Sequence, residues 1–187
     1  MKNYKKNLKI LEDGHVYSKE MEHDACGVGL IASTEGKKSR KVVEYGINAL
    51  KAVWHRGAVD ADGKTGDGAG IHLEIPSDFF AEKIELTGHD HDGSEICVGM
   101  IFLPRNNYQA QENARTLVES ELTKSNFSIY GWRQVPVNPK VLGEKANLTR
   151  PEITQVLFKH NNKDLTEKEL ERKIYESRRK IEKEAIK

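Results

Sequence analysis

Cysteine and proline are both scarce: 187 residues hold two cysteines, Cys26 and Cys97, and five prolines. Two thiols cannot build a disulfide framework, nor by themselves a four-ligand structural zinc site. Long apolar runs are missing as well. The longest, residues 96–103, suits a strand and falls far short of the roughly 20 residues a membrane-crossing helix needs. Neither charge sign dominates, since thirty basic residues face twenty-nine acidic ones for a formal +1. Such a balance offers no bulk attraction for nucleic acid or an anionic membrane. The start Met1-Lys2-Asn3-Tyr4-Lys5-Lys6 is basic, but no apolar stretch follows, so it does not read as a secretory signal. These absences point to a soluble, cytoplasmic protein of a reducing compartment, with no nucleic acid or membrane partner and no metal. At 37% hydrophobic and 32% charged residues, the chain has the composition of a folded protein, long enough for one domain or part of a larger one.

Residues 1–25 show no clean periodicity. Residues 26–33 read as a short buried strand, ended by a turn at Glu35-Gly36. Val43, Ile47, Leu50 and Trp54 recur at helical spacing, predicting an amphipathic helix over 39–54 that Gly57 terminates. Five glycines and three aspartates make 57–70 a compact loop. A strand of partial alternation over 71–75 follows, then a short helix from Ser77 through Phe80 and Ile84, and a polar loop over 88–94. Residues 95–103 are apolar on both faces, as in a strand covered on each side. A helix over 107–124, a strand over 127–135 halted by Pro136 and Pro139, and a strand over 153–159 come next. Thr166 and Glu169 form a capping box ahead of a helix carrying Leu170, Ile174 and Ile181, which runs to the last residue.

The candidate chemistry centres on Cys26, followed at once by Gly27-Val28-Gly29. A lone cysteine at a strand start is more often a small buried hydrophobe. Two features favour a nucleophile: Gly27 and Gly29 leave room beside the thiol, and a polar leader without an evident core role precedes it. Were the Ala25–Cys26 bond cut, the new α-amine would titrate near 8 and could accept the thiol proton, so one residue would supply nucleophile and base. Arg56 reads either as a solvated surface arginine or as a fork that orients carbonyl or carboxylate oxygens.

Other patterns fail on spacing. Five residues separate Gly57 from Gly63, one more than a phosphate loop allows, and a helix precedes them rather than a strand. Asp60, Asp62 and Asp67 hint at a calcium loop, yet Lys64 and Ile71 occupy positions where acids belong. His89-Asp90-His91-Asp92 lacks further ligands and reads as a flexible, solvated loop. Arg172, Arg178 and Arg179 lie among glutamates as an exposed, ion-paired helix face, and Cys97 as inert packing within its strand.

Three segments together carry a resemblance: Cys26-Gly27-Val28-Gly29-Leu30-Ile31-Ala32, then His55-Arg56-Gly57-Ala58, then Ala61-Asp62-Gly63-Lys64-Thr65-Gly66-Asp67-Gly68-Ala69-Gly70. They resemble the start of the glutamate synthase large subunit, whose first domain is a class II glutamine amidotransferase. Trp132-Arg133-Gln134-Val135-Pro136-Val137-Asn138 and Arg178-Arg179-Lys180-Ile181-Glu182-Lys183 are similar to later stretches of that domain. The resemblance implies an α+β fold, part of an α-β-β-α Ntn-hydrolase sandwich with antiparallel sheets. Residues 1–25 would be a removed leader, and 26–187 the first portion of the domain. Cys26 would hydrolyse L-glutamine through a thioester. Arg56, Gly27, Thr65, Gly66 and Asp67 would support the substrate site.

Ammonia would pass to a synthase domain that aminates 2-oxoglutarate, with FMN and an iron–sulfur cluster in that downstream part and a small reductase subunit as a further partner. The family's carboxylate clamp and oxyanion hole are expected beyond Lys187, so little glutaminase activity is expected of these 187 residues alone, and a bare sheet face is expected. Two other readings stay open: an amidotransferase serving a sugar or purine precursor, and a non-catalytic module of the same fold.

Overall fold

A computed structural model describes residues 6, 9–10, 13, 27–53, 59–66 and 68–186. The chain divides into two units, residues 1–57 and 58–187.

In the first unit, helix α1 spans Arg40–Ala52, and the Ser39 hydroxyl caps it by accepting from Val42 N. Its apolar stripe is half-buried at Val43, Ile47 and Leu50, and no residue of α1 is fully buried. The expected turn is present, with Gly36 N donating to Ser33 O at 3.1 Å and Gly36 at φ +65°. The strand expected over 26–33 is not formed at residues 27–33, and Val28 and Leu30 are 94% and 89% exposed. A short apolar run marks a surface to be buried, but only a partner strand turns it into a ladder. Cys26, and Trp54 to Gly57 at the helix end, lie outside the described residues.

The second unit is built on a three-stranded antiparallel sheet in the order β1-β3-β2, formed by β1 (Cys97–Leu103), β2 (Phe127–Gln134) and β3 (Glu152–His160). Helix α2 (Ser77–Glu85) precedes β1, α3 (Tyr108–Lys124) joins β1 to β2, and a 3-10 turn and the six-residue α4 (Glu144–Thr149) join β2 to β3. The long α5 (Glu167–Ala185) follows β3, started by the expected Thr166–Glu169 capping box. Lys187 lies outside the described residues. The expected strand over 71–75 does not form, and Ile71, Leu73 and Ile75 stay partly exposed without a partner strand.

Strand alternation sends Cys97, Phe127, Val156 and Phe158 to one face, where Val118 and Leu122 of α3 and Leu170 of α5 cover them. Phe127 and Phe158 meet edge to face at 5.2 Å. The opposite face carries Val98, Tyr130 and Leu157 beneath Phe80 and Ile84 of α2. That helix covers only one end. Farther along β1, Met100 and Phe102 are 48% and 63% exposed. The expectation of cover on both sides therefore holds for one face and fails over part of the other. The α+β class with antiparallel pairing is as expected, and among the described residues it comprises one sheet.

A bulge decides which side chains reach which face. Ile129 pairs with Phe158 and Gly131 with Leu157, so Tyr130 is the extra residue in β2. The inserted residue inverts the alternation beyond it, carrying Trp132 to the α3 face and Arg133 to the α2 face. Gly131 sits at φ +148°, and a Cβ there would come within 3.0 Å of Thr87.

Candidate functional site

Of the residues singled out for chemistry, the structure describes Gly27, Thr65 and Gly66; Cys26, Arg56 and Asp67 lie outside the described residues. Gly27 belongs to the first unit, where a Cβ added to it would meet only Val53, at an ordinary 3.9 Å. Among the described residues, therefore, no crowding demands a glycine at position 27 or at position 29.

Thr65 and Gly66 share a tight turn in the second unit. Val59 and Gly66 form an isolated antiparallel bridge, Asp60 N donates to Thr65 O at 2.7 Å, and Gly63 N returns to Asp60 O at 2.9 Å. Gly63 takes φ +69°, a conformation that side chains resist. Asp62 locks the turn from inside. Its Oδ1 accepts from Lys64 N at 2.9 Å and Thr65 N at 2.7 Å, and its Oδ2 accepts from Thr65 Oγ1 at 2.6 Å. The Thr65 hydroxyl and amide, with the Lys64 amide, hold the Asp62 carboxyl down at about 2. Both oxygens of Asp62 thus accept hydrogen bonds from within the turn.

The turn is also held from outside by α4, a contact that sequence reasoning missed. Gly143, the buried N-cap residue just before α4, packs so closely that an added Cβ would overlap Thr65 Oγ1 and Asp62 Oδ2 and lie 2.6 Å from Thr65 N. Lys145 Nζ pairs with Asp60 Oδ2 at 2.7 Å. The spacing Asp62-x-x-Thr65 was a readable signal for the inner lock, because Asp side chains commonly bond backbone a few residues ahead. Nothing in the sequence marked a glycine 78 positions beyond Thr65 as its neighbour.

The polar loop over 88–94 is pinned rather than flexible. Asp92 Oδ2 accepts from Lys159 Nζ at 2.8 Å and Lys163 Nζ at 3.0 Å, and Asp92 Oδ1 accepts from Ser94 N at 3.1 Å and Tyr130 Oη at 3.3 Å. The bonds from Lys159, Ser94 and Lys163 keep this carboxyl well below the usual range. His89 and His91 each meet the Tyr130 ring edge to face at 6.3 Å. Among the described residues, no three His, Cys, Asp or Glu side chains gather as a metal site. Cys97 is buried and burial pushes its thiol up to about 12, as inert packing requires. Arg172, Arg178 and Arg179 pair with Glu176 and Glu182 on α5 as expected. No helix among the described residues is long and apolar enough to cross a membrane.

Residues 26–187 match the class-II glutamine amidotransferases, and the chain belongs to that family, whose fold is that of the Ntn hydrolases. The match begins at Cys26. Within that class, the chain is 52% identical to the glutamate synthase [NADPH] large chain of Azospirillum brasilense, over 97% of its own length and 12% of that protein's. It is 36% identical to the ferredoxin-dependent glutamate synthase of Pyropia yezoensis, over 94% of this chain and 11% of that one. To ferredoxin-dependent glutamate synthase 1, chloroplastic/mitochondrial, of Arabidopsis thaliana it is 40% identical, over 86% and 10%. The chain therefore spans a small fraction of the length of these relatives.

Proposed function

We propose that this chain forms the first part of a glutamate synthase and contributes the nucleophile that takes ammonia from L-glutamine. The observation that supports this most directly is the family match over residues 26–187, which starts at the cysteine the chemistry needs. On this reading residues 1–25 are a leader, and its removal makes Cys26 the amino-terminal residue. The freed α-amine takes the thiol proton while sulfur attacks the carboxamide carbon. The same proton then passes to the departing nitrogen, releasing ammonia and leaving a thioester, which water cleaves to glutamate and the free thiol. Arg56, Gly27, Thr65, Gly66 and Asp67 shape the substrate site around it.

Ammonia so released serves a synthase step on 2-oxoglutarate elsewhere in the protein. FMN and an iron–sulfur cluster belong to that part as well. Two cysteines cannot supply the four thiolates a cluster takes, so the residues of this chain do not fit one, and no step here runs through it. A reductase subunit is a further proposed partner.

The test uses the enzyme that carries this chain. Mass spectrometry should find Cys26 as its first residue, and Cys26→Ala should abolish ammonia release from glutamine. An active enzyme with the leader still attached would overturn the mechanism.

A further inference from the structure

We propose that the start of α4 is a positioning element for the substrate site, with Gly143 and Lys145 holding the turn at residues 60–66 in the orientation the amidotransferase reaction uses. The proposal rests on the reading of that turn as part of the glutamine site. Helix α4 has six residues, none of them buried, and no side-chain cap, so it contributes little to the core. Its N-cap, Gly143, nevertheless makes the most crowded glycine contact among the described residues. Only a glycine fits at 143, because a Cβ would displace the Thr65 amide and hydroxyl together with the Asp62 carboxylate that locks them.

The second tie differs in kind. Lys145 Nζ grips Asp60 Oδ2 at 2.7 Å, 85 positions apart in sequence, at the base of the turn where Asp60 N also bonds Thr65 O. The side chains of Lys145 and Asp60 are 67% and 35% exposed. Exposed ion pairs contribute little to stability, and this one restrains direction instead. One contact limits how far the turn can approach α4, and the other limits how far it can swing away. The Asp62 lock fixes the internal shape of the turn, whereas Gly143 and Lys145 restrain where that shape sits against α4.

The experiment uses the enzyme carrying this chain, with Lys145→Met, Lys145→Arg and Gly143→Ala, assayed against L-glutamine and against ammonium as nitrogen donor. Gly143→Ala should raise KM for glutamine about tenfold or more and Lys145→Met about threefold to fivefold, Lys145→Arg should stay near the parent, and ammonium-dependent turnover should stay unchanged. Hydrogen exchange at the Lys64 and Thr65 amides should accelerate in both impaired variants. A KM within twofold of the parent for both, in an enzyme that hydrolyses glutamine, overturns the proposal. A parent enzyme inert toward glutamine but active with ammonium removes the functional reading instead, and the exchange rates then decide the clamp alone. Should Gly143→Ala fail to fold, Lys145→Met and Lys145→Arg carry the test.

Discussion

The Trp132 indole N–H donates to Glu119 Oε1 at 2.6 Å, joining β2 to α3. This contact exists because β2 gains Tyr130 as an extra residue two positions earlier. Under unbroken alternation Trp132 would share the face of Tyr130, beneath α2 and away from Glu119. Arg115, also on α3, stacks over the same indole at 5.8 Å.

Glu119→Ala should therefore cost about 1–2 kcal/mol, since it leaves a half-buried indole N–H without its charged acceptor. Glu119→Gln retains an acceptor and should cost less. Urea unfolding of both variants checks the order, and equal losses would show that the hydrogen bond contributes nothing.

Gly131→Ala should destabilise more than a typical glycine replacement in a strand. The position takes φ +148°, and the new Cβ would press to 3.0 Å on Thr87, whose Oγ1 lies 2.9 Å from Tyr130 O. The expected loss is about 1–3 kcal/mol, from backbone strain. Thr87→Ser in the same background should recover part of it, because it removes the methyl group that the Cβ meets. A melting temperature equal to the parent's would contradict this account of the bulge.

Acid should loosen the turn at residues 60–66 before it unfolds the sheet. The carboxyl of Asp62 sits at about 2 in the folded chain against an ordinary 3.8. A depressed folded value means that its stabilisation is complete above about 3.8 and is lost as pH falls through about 2. Asp62→Asn should flatten the pH dependence of amide exchange at Lys64 and Thr65 in that window. Identical profiles in parent and variant would remove Asp62 as the lock.

Cys97 should resist alkylation at pH 8 while the chain is folded, because its thiol is buried and raised to about 12. Denaturant should restore ordinary reactivity. Peptide mapping after iodoacetamide treatment distinguishes this cysteine from Cys26, and fast native labelling of Cys97 would contradict the packing described.

Most elements were legible because their signals are local. Asn107 accepts from Ala110 N to start α3, and Thr166 with Glu169 starts α5, where the sequence placed both helices. The strands at 97–103, 127–134 and 152–160 follow their apolar runs to within two residues. The expected strands at 26–33 and 71–75 failed for one shared reason. A short apolar run or a partial alternation marks a surface that wants burial, but a strand also needs a hydrogen-bonding neighbour, and a local pattern cannot report one.

The amino-acid order alone marked helices α1, α2, α3 and α5, the capping box of α5, and which cysteine stands at the head of a glycine-rich run, but not the six-residue α4. Tertiary structure decided the rest. It set the face on which Trp132 emerges, pinned Asp92 between two lysines, and brought Gly143 against Thr65. Helix and cap signals act over three or four residues, within reach of a sequence pattern. Bulge register, ion pairing and backbone crowding depend on which distant segments meet, and only packing selects those.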